Sequence, residues 1–126
     1  MYDKPMLSLD QVRRAMDAML DLATKALNSP LAIAIVDDQG GLVSYMKMDR
    51  CRMIPQRMAI RKAYTCAVTG QDSKAYAERL ASQGRSVAEM GDPQLAAVQG
   101  GVVVLHPATG GDLRWDWGER LERGRR

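Results

Sequence analysis

Lys62 and Thr65 stand three residues apart in the segment Ala59-Ile60-Arg61-Lys62-Ala63-Tyr64-Thr65. On a helix that spacing puts an ammonium and a hydroxyl on one face, where together they could hold a carboxylate. Equally, Lys62 can be a surface charge and Thr65 a buried hydroxyl bonded to its own backbone. Asp49, Arg50 and Arg52 crowd the preceding loop and could complete an anion-binding rim, although a charged loop is more often simply solvated. His106, the single histidine, precedes Pro107; it can coordinate a metal, and on its own it reads more readily as a solvated turn residue. Asp37-Asp38 opens the tract Asp-Asp-Gln-Gly-Gly, where paired acids serve turn geometry more often than metal or acid chemistry. Cys51 and Cys66 form no C-x-x-C and no cluster with histidine, so they read as reduced thiols of a cytosolic protein. Cys66 lies on an apolar helical stripe, which argues for a buried thiol and against a nucleophile. No spacing matches a zinc site, and Gly40-Gly41 joins two strands and so is not a phosphate loop.

These side chains need elements to carry them. Ser8, with Gln11 three residues on, predicts a capped helix start. Val12, Ala15, Met16, Met19, Leu22, Ala23, Ala26 and Leu27 then recur at helical spacing up to Asn28-Ser29-Pro30. The mixed charges on the opposite face favour core packing over a membrane surface. Leu31 to Val36 is continuously apolar and predicts a strand covered on both faces. The Asp-Gly-rich turn returns the chain as a second strand, Leu42 to Met48. Its set Leu42, Ser44, Met46, Met48 alternates with Val43, Tyr45, Lys47, so one face is the more apolar. Pro55 predicts a helix start, with Ala59, Ile60, Ala63, Cys66 and Ala67 inward and a stop at Thr69-Gly70. Asp72 or Ser73 caps a third helix, Lys74 to about Gln83, with Tyr76, Ala77 and Leu80 inward. A loop from Gly84 to Pro93 has room for one helical turn. Val102 to Leu105 and Leu113 to Trp117 read as the last strands, and Glu119 to Arg126 as a frayed end with almost no apolar face.

The order helix, strand, strand, helix, helix, strand, strand predicts an α+β layer structure in a single domain over 1–126. With 126 residues, 46% apolar and 26% charged, the chain is long enough for one core and too short for two. Phe is absent while Met numbers nine, so the core is expected to be aliphatic and adaptable. The net charge of +3, from 18 basic and 15 acidic residues without a basic stripe, argues against nucleic acid as a partner. No apolar run approaches a membrane span, and no N-terminal leader pattern is visible. The expected location is therefore the cytoplasm.

The capped Ala- and Met-rich first helix, Pro-Leu-Ala-Ile-Ala-Ile-Val-Asp-Asp-Gln-Gly-Gly-Leu-Val, Met48-Asp49, Ala59-x-x-Lys62-Ala63-x-Thr65 and Gln99-Gly100-Gly101-Val102-Val103-Val104 together resemble the GlcG/HbpS-like family. This is the heme-degrading-domain group that includes the C-terminal domain of PduO. The resemblance covers residues 8 to 111. It implies a profilin-like antiparallel sheet of about five strands with helices on both faces, a three-layer α/β/α arrangement, assembled as dimers or larger homo-oligomers.

It also implies tetrapyrrole handling: a small-molecule ligand such as heme or a corrinoid (cobalamin) in an apolar pocket, with Met48, Asp49, Arg52, Lys62 and Thr65 as ligand-binding candidates and His106 as a weak metal candidate. Heme iron takes His, Cys, Met or Tyr as its axial ligand. Some relatives carry such a His in the first helix; this chain has none there. The alternative is an enzyme or accessory protein of small organic-acid catabolism, with Asp49, Lys62 and Thr65 holding the acid, and a bland third reading is a self-associating scaffold.

After Gly111 the pattern departs from the family, which continues with a strand ending in a motif like G-x-I-G-V-S-G and a terminal helix. The tail here, 112–126, begins Asp112-Leu113-Arg114-Trp115-Asp116-Trp117-Gly118-Glu119-Arg120. Because Trp has the single codon TGG, reading one nucleotide later turns Trp115 and Trp117 into glycine. Codon choice at the intervening and following positions permits Ile, Val, Ser and Gly, so a frameshift is the favoured origin of the tail over divergence. With the terminal helix replaced, an oligomer contact involving Trp115 and Trp117 is expected to cover the face it left.

Overall fold

The first helix, α1 (Leu9–Ala26), begins at a reciprocal cap: the Ser8 N–H donates to Gln11 Oε1 at 2.8 Å and the Gln11 N–H donates to Ser8 Oγ at 3.1 Å. Both halves of the sequence signature are therefore in use, satisfying donors that the first turn leaves without partners. The computed structural model describes residues 6–26 and 30–104. Val12, Met16, Met19 and Ala23 are buried, a stripe at i, i+4, i+7 and i+11. Burying a Met of this kind contributes roughly 1.5–3 kcal/mol, so this face anchors the helix.

Strands β1 (Ala32–Val36) and β2 (Leu42–Lys47) pair antiparallel, with Ala32 opposite Lys47, Ala34 opposite Tyr45, and an irregularity between Ile35 and Val36. The turn is built by Asp37. Its N–H donates to the Gly41 carbonyl, while its Oδ1 accepts the N–H groups of Gln39 at 2.9 Å and Gly41 at 2.8 Å. A carboxylate engaged in this way is a turn device, as the tract predicts. Gly40, at φ 86°, lies so close to the Tyr64 ring that a β-carbon there would stand 2.5 Å from Cδ2.

Two expectations need correction here. Every residue of β1 is half-buried, short of the full cover its apolar run predicts. On β2, Leu42, Val43 and Met46 are exposed, so apolar residues of both alternating sets meet solvent where one more apolar face was expected. The reason is where the helices lie. The helix α2 (Met53–Thr69) packs chiefly along β1 and α1 touches both strands, so among the described residues β2 forms a rim.

Helix α2 carries Pro55 in its first turn, where a missing N–H costs nothing, and ends at Gly70 in the left-handed conformation. Thr65 and Cys66 are its buried residues; Ile60, predicted inward, is 37% exposed. Helix α3 (Ser73–Ser82) buries Tyr76 and Leu80 as its spacing predicts, and Val87–Met90 forms the expected single turn, capped by Ser86 and Glu89.

The run Val102–Leu105 was expected to be a strand. Residues 102–104 are not one, and the neighbouring pairing is a lone bridge between Gln99 and Gly101. The sheet therefore has two strands among the described residues. The Val103 N–H donates to Asp72 Oδ1 at 2.9 Å, so this backbone is held by the start of α3. Leu105, the strand predicted at 113–117 and the tail after Gly111 lie outside the described residues.

Candidate functional site

Helix α2 contains Arg57, Arg61 and Lys62 and no Asp or Glu. An acid-free helix with three cations offers no i±4 partner for Lys62, whose side chain is half-buried. Its amine rests against Gly100: a β-carbon at that glycine would stand 3.1 Å from Nζ and 3.2 Å from Cδ. Among the described residues no hydrogen bond or ion pair reaches the ammonium. Burial lowers its pKa from the ordinary 10.5, because the charged form has lost water.

Gly100 and Gly101 are brought to α2 by a clasp at the start of α3. The Gly101 N–H donates to Ser73 Oγ at 2.8 Å and the Ser73 N–H donates to the Gly101 carbonyl at 3.1 Å, in a wholly buried setting. Asp72 holds Val103, two residues further on. A β-carbon on Gly101 would meet Cys66 Sγ and the Lys62 carbonyl oxygen, both at 2.6 Å, so only glycine lets this backbone lie flat on the helix. Burial pushes the Cys66 thiol up to about 11, and the Asp72 charge adds to that against the opposing Ser73 hydrogen bonds. It is a protonated packing group, in line with its place on the helical stripe.

Thr65 faces the interior and is fully buried. Its hydroxyl donates to the Arg61 carbonyl at 2.8 Å and accepts the Ala96 N–H at 2.8 Å. It shares α2 with Lys62, yet this hydroxyl ties the helix to the loop before Gly100. A second tie is Tyr64, whose hydroxyl donates to Asp92 Oδ2 at 2.5 Å. That bond raises the Tyr64 pKa and lowers that of Asp92.

The loop between β2 and α2 is a tight turn. The Cys51 N–H donates to the Met48 carbonyl at 3.1 Å, with Arg50 in the left-handed region at φ 66°. Gln56 Nε2 donates to the Cys51 carbonyl at 2.8 Å, which fastens the loop to α2. Met48 is half-buried, while Asp49 and Arg52 are exposed. No hydrogen bond or ion pair joins Asp49 or Arg52 to Lys62 among the described residues, so the rim is not closed by direct contact. His106 lies outside the described residues. No group of three His, Cys, Asp or Glu able to hold a metal occurs among those described, and no described helix is long and apolar enough to cross a membrane.

The groups that sequence reasoning did not place were Gly100, Gly101, Ser73 and Asp72 as one clasp, and Asp92 as the Tyr64 partner. The available signal was Gly-Gly directly before an apolar run, which reads as a strand start. Its packing against Lys62 depends on contacts roughly thirty to forty residues apart in sequence, which no local pattern encodes.

A family model described as haem degrading protein HbpS-like matches residues 7–112. Two curated GlcG proteins of Escherichia coli, from strains K12 and CFT073, are each 35% identical over 78 residues. That alignment covers 62% of this chain, and the chain spans only 57% of the length of these relatives. Among solved structures, a PduOC:heme complex superposes with a TM-score of 0.74 at 16% identity, covering 95% of each chain. Klebsiella pneumoniae protein ORFY superposes with a TM-score of 0.73 at 17% identity, covering 85% of this chain and 74% of its own. At such identities the two structures establish a shared α+β fold.

Proposed function

The chain belongs to the haem degrading HbpS-like family, and on that premise we propose that it is a small cytosolic, oligomeric protein that binds heme in an apolar pocket. The observation that carries this reading is the half-buried Lys62 ammonium, without an ionic partner on an acid-free helix, inside the span that the family model matches. The fold shared with a protein solved as a heme complex supports it. Two free thiols support a reducing compartment. The full sheet is proposed as profilin-like, with about five strands in a three-layer arrangement, and the oligomer as the cover for the exposed β2 rim. The matched relatives give no support to a corrinoid, and heme alone is carried forward.

The described side chains fit the acidic edge of heme better than its iron. Lys62 offers an ammonium for a propionate, with Arg52 and Asp49 at the rim, Met48 as apolar lining, and Thr65 steadying α2 from beneath. Cys66 is protonated and Tyr64 is engaged with Asp92, so neither is a ready axial ligand. His106 remains the proposed iron ligand. When bound, heme supplies the redox-active iron. Titration with hemin tests the reading: a saturable Soret shift is expected, reduced in His106→Ala if that imidazole binds iron. No shift at any stoichiometry would sink it. The second reading, a protein of small organic-acid catabolism, is favoured by the same unpaired ammonium and is tested by profiling acids that co-purify.

A further inference from the structure

We propose that Lys62 and the bare backbone at Gly100 form the seat for one carboxylate of the ligand, which makes the site selective for an acid over its neutral ester. The inference rests on the heme-binding reading and adds which edge of the ligand is held and what holds it.

Three observations converge on this seat. The ammonium is half-buried and meets no acid among the described residues, and a partly desolvated charge without a partner is costly to keep. Nothing else on α2 relieves it, since the other charged side chains there, Arg57 and Arg61, are cations. The amine also lies against the Gly100 backbone. Its stem and Nζ lie 3.1–3.6 Å from where a Gly100 β-carbon would be, and the Ser73–Gly101 clasp keeps that backbone against the helix. A positioned ammonium with free donors and a backbone face beside it suits a planar carboxylate, which gains a charge-assisted hydrogen bond and restores the lost counter-charge. A neutral ester offers neither.

Gly100 determines how this works. Any side chain there would press on the amine from 3.1 Å and, at φ 131°, would force the backbone into a region that L-residues avoid. Thr65 takes no direct part, because its hydroxyl is spent on Arg61 and Ala96.

The test uses protoporphyrin IX and its dimethyl ester, titrated in one low-detergent buffer and followed by porphyrin fluorescence, so that no iron ligand is involved. The wild type is expected to bind the diacid about tenfold or more tightly than the ester. Lys62→Met should lose that preference while still binding the ester, and Lys62→Arg should retain part of it. Gly100→Ala, which leaves the charge in place, should weaken the diacid more than the ester. Equal affinity for the two ligands in wild type, or an unchanged preference in a folded Lys62→Met, overturns the seat and leaves the heme reading standing. If neither porphyrin binds, the seat falls, and the hemin titration alone decides the heme reading.

Discussion

Gly101 lies directly on Cys66: a β-carbon at position 101 would stand 2.6 Å from the thiol sulfur and 2.6 Å from the carbonyl oxygen of Lys62. Real β-carbons do not approach atoms this closely, and one of the two obstacles is helix backbone that cannot turn aside. The contact joins the Gly-Gly segment to the helix that carries the candidate ligand-binding lysine. Gly101→Ala should therefore destabilise the protein by about 1–3 kcal/mol, the usual cost of forcing atoms into a packed interior. Cys66→Ala in the same chain should recover part of the loss and leave the clash with the carbonyl. Urea denaturation of the single and double variants checks this.

Thr65 is bonded on both sides, to the Arg61 carbonyl and from the Ala96 N–H. Thr65→Val keeps the shape and strands a buried backbone donor, an expected loss of about 1–3 kcal/mol. Thr65→Ser keeps the hydroxyl and should lose less. If Thr65 also touched the ligand directly, Ser and Val would differ in porphyrin affinity beyond what their stability explains, and fluorescence titration at a temperature where both are folded reads that out.

Cys66 titrates near 11 in the folded protein against an ordinary value of 9.0. A raised acid pKa means the fold favours the neutral thiol. The contribution is complete below pH 9.0 and is lost as the pH rises through about 11. Alkylation by iodoacetamide, located by peptide mass spectrometry, should accordingly spare Cys66 at pH 8 in native protein and modify it once the pH approaches 11 or the chain is unfolded. Rapid native labelling at pH 8 would contradict the burial.

The Tyr64–Asp92 bond carries a pH signature of the opposite sense. Asp92 titrates below its ordinary 3.8 because the Tyr64 hydroxyl donates to its ionised form. Its contribution is present above pH 3.8 and disappears as the pH falls through the folded value. Tyr64→Phe should remove most of this acid sensitivity, and Asp92→Asn should do the same. Thermal melts from pH 2 to 7 should show the variants converging on wild type at the acid end.

The unusual chain after Gly111 makes a prediction about the gene. If a frameshift produced it, the codons for residues 111–120, read one nucleotide later, yield Gly-Ile-Gly-Val-Ser-Gly from Trp115 onward. The family model stops at residue 112, where that motif would be expected to follow. Sequencing those codons decides it: Asp116 encoded by GAT gives the shifted triplet ATT and restores the isoleucine, whereas GAC gives ACT, threonine.

Much of the architecture was present in local chemistry. Ser8 and Gln11 announce their cap, the Asp37 tract builds its own turn, and Gly70 ends α2, because each depends on groups within four residues. Tyr76 and Leu80 face inward on α3 for the same reason, one helical turn apart. The family was legible too, through the hairpin and the Ala-x-x-Lys-Ala-x-Thr helix, and the model match to residues 7–112 agrees with it. Lys62 could be singled out from its spacing, but its spacing could not say whether the amine had a partner.

Only the tertiary structure decided that question and its neighbours. Thr65 sits three residues from Lys62, yet it is drawn inward by Ala96, thirty-one residues away. Val102–Val104 has the composition of a strand, yet Asp72 takes the Val103 N–H while Ser73 grips Gly101 just before it, at the start of α3. Leu42 and Met46 share one side of β2, and among the described residues they are exposed because α2 lies along the other strand. A residue's periodicity states which side it shares with its neighbours; what covers that side is settled by contacts between segments far apart in the chain.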